Sequence, residues 1–435
     1  MDVLLINAIA YTLLFSYTLH KYKRLNVYNI VILFNTIVAI LGYVTTKQGI
    51  QLVGSSNFGE HAPLIPYICL FVSILLITSP LKQVSSDKID INILDNSIFK
   101  KFIIFSVFVY IIVNIVLLYE FTLVIQQGFA EAYLSRRLEG RSVVEFNNPV
   151  LNFFSTKGGS YVTATFPILI FYFFYQLIRK KIKTWKCITG MLLCFSPQIL
   201  ESLNAGSKGM LFFCATDILF FYFIFEKLLS ARIKKGFFLL GIGSGLLMLT
   251  YAISIQVSRN EASSSDKLAS EVMLRYFGEP MPNLGDLYDD VQNHPYGKRF
   301  FRSILEPDKF DNTEDERLYW TKYTHARVDN FKTIWGDSFI EFGFIGSFIF
   351  LYLVVFLYKR YVFSKSHCFY VYPMIYYYYH KVCIYGIFGV GFVDARSLQI
   401  TLYAIIMCLF LKKLSQYEKK NNSNSSSSVL SIPGK

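Results

Sequence analysis

Apolar and polar positions along the 435-residue chain separate into blocks instead of interleaving. Eleven runs are almost purely apolar: 3–19, 27–45, 64–79, 102–124, 159–178, 187–203, 209–226, 237–255, 337–358, 367–385 and 398–411. Most approach the roughly 17–25 residues that a helix needs to cross a bilayer. Backbone N–H groups inside lipid must be paired within their own segment, so each run predicts a helix. The predicted fold class is an all-α polytopic membrane protein with about 11 transmembrane helices (10–12).

The polar blocks organise the rest. Residues 1–255 read as an N-terminal transmembrane bundle of eight helices, interrupted by a basic loop at 125–158. Residues 256–336 form one long hydrophilic loop, 337–414 the C-terminal transmembrane helices, and 415–435 a cytoplasmic tail. The Asn/Ser-rich stretch 421–428 is low in complexity and is expected to be disordered. An odd span count puts the termini on opposite sides. With the N-terminus outside, the cytoplasmic segments hold more than half of the 43 Lys and Arg residues. Most of the others lie in the two long loops, to which the positive-inside rule scarcely applies. Both long loops then face away from the cytoplasm.

Composition sharpens this picture. Charged residues make up 17% of the chain, too few to coat soluble domains of this length, which carry about a quarter. The net charge of +13 would invite a nucleic-acid partner, but short basic clusters between apolar runs orient membrane helices instead, so no nucleic acid is expected. The seven cysteines fall in or beside apolar runs without a CxxC pair and read as small apolar packers. The first apolar run is followed, not preceded, by the basic Lys21, Lys23 and Arg24, unlike a cleavable signal peptide.

Candidate chemistry lies in the outer segments. The first loop carries Arg136, Arg137 and Arg141 beside Gly140, suited to phosphate oxygens or to a solvated surface. In the second loop, the stretch 265–278 predicts a helix with one apolar stripe, capped by Ser265 or Asp266 and stopped by Gly278 and Pro280. Arg275 on it either pairs with Glu271 and Glu279 or meets a lipid-linked phosphate. Asp286, Asp289 and Asp290 read as turn and cap residues, and 314–316 as a solvated turn; no metal site is expected. His325, near Arg327, is a candidate for proton transfer. Asp337 and Glu341 stand four apart at the start of a span, on one helical face. Carboxylates inside a membrane are costly and functional by default; a helix N-terminus explains Asp337 better than Glu341. Gly343 and Gly346 allow close helix packing.

Asn330-x-x-Thr333 followed by Asp337-x-x-x-Glu341-Phe342-Gly343-x-x-Gly346 resembles the C-terminal signature of Wzy-type O-antigen and capsule polymerases, the oligosaccharide repeat-unit polymerases. The Arg275-Tyr276-Phe277 segment, the long outer loop and the overall layout are similar to that family too. The resemblance implies a GT-C-like, metal-independent membrane glycosyltransferase of the bacterial inner membrane, with its active site facing the periplasm and no cofactor. Its substrate would be an oligosaccharide on undecaprenyl pyrophosphate, and its product O-antigen or capsular polysaccharide. A flippase and a chain-length regulator protein would be its partners. Transfer releases a lipid pyrophosphate, whose charge fixed arginines stabilise: Arg136, Arg137, Arg141, Arg275 and Arg327, with Arg259 next. Glu341, Asp337 or His325 would accept the hydroxyl proton, and Tyr276, Asn330 and Trp335 would contact the glycan. The O-antigen ligases share the layout. A flippase for lipid-linked sugar would want charges deep within several spans; the spans are nearly free of charge, with Glu201 and Asp217 as exceptions in the sixth and seventh. A membrane acyltransferase would want an early reactive histidine, and only His20 stands there.

Overall fold

The computed structural model describes residues 2–49, 63–84, 94, 96–128, 148–180, 182–204, 209–237, 239, 241, 250, 274, 276–306, 309–310, 313–328, 331–392 and 395–427. Every regular element among them is helical. The longer helices are α1 (Val3–Tyr22), α2 (Val27–Lys47), α3 (Leu64–Thr78), α4 (Ser97–Gln127), α5 (Gly159–Arg179), α6 (Thr184–Asn204) and α7 (Gly209–Phe225). They continue with α8 (Pro280–Asp290), α9 (Thr313–Thr324), α10 (Thr333–Tyr361), α11 (Tyr372–Tyr377) and α12 (Ala395–Ser427).

Among the described residues seven helices are long and apolar enough to cross a membrane: Val3–Tyr22, Val27–Lys47, Leu64–Gln83, Ser97–Gln127, Gly159–Arg179, Thr333–Lys365 and Arg396–Tyr417. The chain is an all-α membrane protein. Three starts follow from short polar side chains that take up free N–H groups of the first turn. Asp2 accepts from Leu4 and Leu5, Asn26 from Asn29, and Asn96 from Ile98 and Phe99. Large apolar side chains project outward, Ile104 at 70% and Ile345 at 72% exposure, as a lipid-facing surface requires. Helix α5 lies at the centre instead: Phe166, Leu169, Ile170 and Phe171 are fully buried, so it is apolar all round.

Several elements depart from the sequence expectations. Helices α6 and α7 cover two further apolar runs, and 237–255 falls largely outside the described residues. The run at 367–385 is not one regular span. It breaks into a 3₁₀ turn Phe369–Val371, α11, a π-helical stretch Tyr378–Ile384 and a second 3₁₀ turn Tyr385–Ile387. Four successive tyrosines sit there, and all four are buried. The Asn/Ser-rich tail expected to be disordered continues α12 as helix to Ser427; once a helix is nucleated, each further residue adds a hydrogen bond.

The long hydrophilic segment is folded where it is described. The helical residues before Pro280 end at Gly278, as expected, a turn follows at Glu279, and Pro280 then opens α8, the first-turn position that its missing N–H suits. Asp286, Asp289 and Asp290 therefore lie on a helix and not in a turn. Glu314, Asp315 and Glu316 form the first turn of α9, where the helix dipole favours acids. Helix α8 is sunk into the bundle: the Tyr67 hydroxyl of α3 donates to Met281 O at 2.9 Å. A Cβ at Gly278 would come within 2.4 Å of Thr45 Oγ1, so the backbone here meets α2 without room for a side chain.

Candidate functional site

Helix α10 is two helices joined at a break. Gly343 has φ 69° and ψ −172°, a conformation that glycine alone adopts without strain. The half before it is buried from Thr333 to Glu341, and the half after it turns toward lipid. A break strands the carbonyls of the last turn. The segment after α8 supplies their donors. His294 Nδ1 donates to Ile340 O at 3.0 Å, and Tyr296 N–H to Glu341 O at 2.8 Å. A carbonyl only accepts, so His294 carries its proton on Nδ1.

The same segment brings Arg299 onto both carboxylates of the half-helix. Its Nη2 lies 2.6 Å from Asp337 Oδ1, and its Nε 3.0 Å from Glu341 Oε2. Glu341 Oε1 also accepts the Gly297 N–H at 2.7 Å and the Arg299 N–H at 3.2 Å. Asp337 Oδ2 accepts the Val390 N–H at 2.8 Å, and Lys332 Nζ stands 3.9 Å from Oδ1. Two cations thus face two anions in a site where Glu341 is fully buried. Burial opposes the Arg299 charge, but the neighbouring Asp337 and Glu341 carboxylates outweigh it and raise its pKa above the usual arginine value.

The other expected site residues are dispersed. His325 is exposed at the C-terminal end of α9 with φ 62°, and Arg327 is half-buried two residues on. Trp335 is fully buried, stacked on Phe339 with ring centroids 5.1 Å apart, so it is packing rather than an open glycan face. Tyr276 packs edge-on against Phe331. Arg136, Arg137, Arg141, Arg259, Arg275 and Asn330 lie outside the described residues. Sequence reasoning missed Arg299, which stands among many charges of the long loop with nothing local to single it out.

A second polar cluster lines a cavity of about 190 Å³ between α5, α6, α7, the 372–387 segment and α12. Its wall includes Glu201, Tyr376, His380, Lys381, Tyr385 and Arg396. Arg396 Nη2 donates to both oxygens of Glu201 at 2.9 Å. His380 Nδ1 lies 2.8 Å from Asp217 Oδ1, and the Tyr376 hydroxyl donates to Asp217 Oδ2 at 2.7 Å. The acids singled out in the sixth and seventh spans, Glu201 and Asp217, are therefore both partnered here. His380, Lys381 and Arg396 were not foreseen; the pairing of Asp217 with His380 spans 163 positions.

One short segment joins the two clusters. Tyr385 walls the cavity, Phe388 O accepts the Lys332 N–H at 3.1 Å, and Val390 N–H reaches Asp337. Phe388 also packs against Phe212 and Phe331. Together these features define an all-α membrane protein with a polar cavity between its helices, braced by a buried Arg299–Asp337–Glu341 cluster. No protein-family model, curated protein or solved structure matches the chain.

Proposed function

We propose that the chain polymerises undecaprenyl-pyrophosphate-linked oligosaccharide repeat units into O-antigen or capsular polysaccharide, by glycosyl transfer on the periplasmic face of the bacterial inner membrane. The observation that carries this reading is the cavity that sets Arg396, Lys381 and His380 beside Glu201. A diphosphate leaving group gains negative charge as the glycosidic bond breaks, and cations fixed beside it stabilise that charge. Arg396 exchanges Glu201 for diphosphate oxygens, and the freed carboxylate holds a sugar hydroxyl. Asp337 and Glu341, already engaged by Arg299 and backbone donors, act here as the brace of the cavity wall through Val390. The resemblance of the 330–346 stretch to the repeat-unit polymerases supports the same assignment.

The test is a strain lacking this gene, complemented with wild-type or Arg396→Gln protein, with surface glycan read on a gel. Wild type restores long chains, and the variant gives single repeat units at equal protein level. Long chains from the variant, or their presence without the gene, overturn the reading.

A second reading has one specific observation behind it. Paired charges inside the bundle, Asp217 with His380 and Glu201 with Arg396, also suit a flippase for the same lipid-linked sugar. A null strain would then accumulate lipid-linked units on the cytoplasmic side instead of unpolymerised units at the surface.

A further inference from the structure

We infer that His380 takes the proton from the attacking sugar hydroxyl, with Asp217 as its positioning residue; this rests on the glycosyl-transfer reading above. The geometry is that of an oriented base. Asp217 is fully buried on α7, with one oxygen 2.8 Å from His380 Nδ1 and the other 2.7 Å from the Tyr376 hydroxyl. A carboxylate accepts and does not donate, so Nδ1 carries the hydrogen, and in the neutral ring Nε2 is the atom with the lone pair. Tyr376 holds the carboxylate from turning. The Phe213 ring at 5.3 Å and the Tyr376 ring at 5.6 Å fix the imidazole plane. His380 lines the cavity, and its side chain is 17% exposed, whereas Asp217 has no exposed surface. A histidine serving only to satisfy a buried acid has no need of the cavity wall.

The step balances. The hydroxyl oxygen bonds to the anomeric carbon while its proton passes to Nε2. The anomeric C–O bond to the diphosphate breaks, and its electron pair leaves with the lipid diphosphate beside Arg396 and Lys381. The imidazolium then gives its proton to water. Among the described residues, the titratable and charged groups around His380 are Asp217 and Cys214 on α7, Glu201 on α6, Arg396 on α12, and Tyr376, Tyr377, Lys381 and Tyr385 on its own segment.

The experiment uses full-length protein in lipid nanodiscs with a lipid-diphosphate-linked repeat unit, scoring turnover and KM separately. His380→Gln is expected to lose about 100-fold or more in turnover, the usual worth of a positioned base, with KM changed less than about threefold. Asp217→Asn is expected to lower turnover about 10-fold or more with KM little changed, and Asp217→Glu to regain part of it, because a carboxylate again orients the ring. Tyr376→Phe lowers turnover at unchanged KM while the protein stays folded, and decides the matter should His380→Gln unfold. Turnover of His380→Gln above half of wild type, or turnover unchanged in both Asp217→Asn and Tyr376→Phe, overturns the assignment. Absence of any polymer from wild-type protein instead overturns the glycosyl-transfer reading itself.

Discussion

Arg299 and Asp337, 38 positions apart, meet at 2.6 Å through Nη2 and Oδ1. This contact, with the Nε bond to Glu341, ties the long hydrophilic segment to the half-helix before the break. Removing the guanidinium leaves two carboxylates facing each other in a buried site. Breaking a buried pair from one side costs about 3–5 kcal/mol. Arg299→Ala should lower unfolding stability by that amount in detergent. Arg299→Lys should recover only part of it, since an ammonium cannot fork to both acids. Thermal unfolding of the three proteins checks this.

Gly343 supplies a second test. A side chain there is strained at φ 69°, and its Cβ would meet His294 Nε2 at 3.1 Å. Gly343→Ala should cost about 1–3 kcal/mol. Gly236, helical with no atom of the described residues within 4 Å of a Cβ placed there, makes the control. Gly236→Ala should be neutral or stabilising by about 0.5–1 kcal/mol. Equal melting shifts for the two variants would refute the strain at the break.

Asp286 on α8 carries a pH signature. Burial, with Asp290 and Asp289 adding to it, raises its pKa from the ordinary 3.8 to about 6. A carboxyl raised on folding contributes stability that is full below its unfolded pKa and is lost as pH rises through the folded value. The loss therefore falls between about pH 4 and pH 6–7. Each pKa unit is worth about 1.4 kcal/mol, and partial exposure reduces the total to about 1–2 kcal/mol. Asp286→Asn should raise the melting temperature at pH 7.5 and make no difference at pH 4.

Glu201 and Arg396 separate stability from function. The Arg396 side chain is 44% exposed, so solvent screens the pair, and its loss should cost less than about 1 kcal/mol. Glu201→Gln should nonetheless shorten the glycan to single units. A melting shift of several degrees with normal polymer would make the pair a structural brace alone.

Some of this molecule was open to reading in its sequence. The apolar runs marked α1 to α7, the hydrophobic parts of α10 and α12, and the acids at 337 and 341 stood out as costly. The acidic start of α9 and the helix that follows the stop at Pro280 were missed, though the dipole and proline rules contain both. What stayed hidden is tertiary. Periodicity reports which residues share a face of their own helix, but not the partner that arrives from elsewhere. Arg299 reaches Glu341 from 42 positions away, and Arg396 reaches Glu201 from 195. The break at Gly343 was visible only as a small residue, because His294 and Tyr296, which make it tolerable, come from another segment. The uneven helix at 372–387 was hidden by its even hydrophobicity.

That uneven helix fastens three neighbours at once. Four consecutive tyrosines donate in turn to Asp217 Oδ2, Ser397 O, Ile77 O and Thr216 O, at 2.7, 3.0, 2.6 and 2.9 Å. Successive side chains on a helix point about 100° apart, so the run reads the positions of α3, α7 and α12 like a four-pin key. Inserting or deleting one residue in the preceding turn would put every phenol in its neighbour's keyway. The consequence is evolutionary: point changes among the four tyrosines cost one hydrogen bond each, whereas any change of length unseats them all and the Asp217–His380 pair with them.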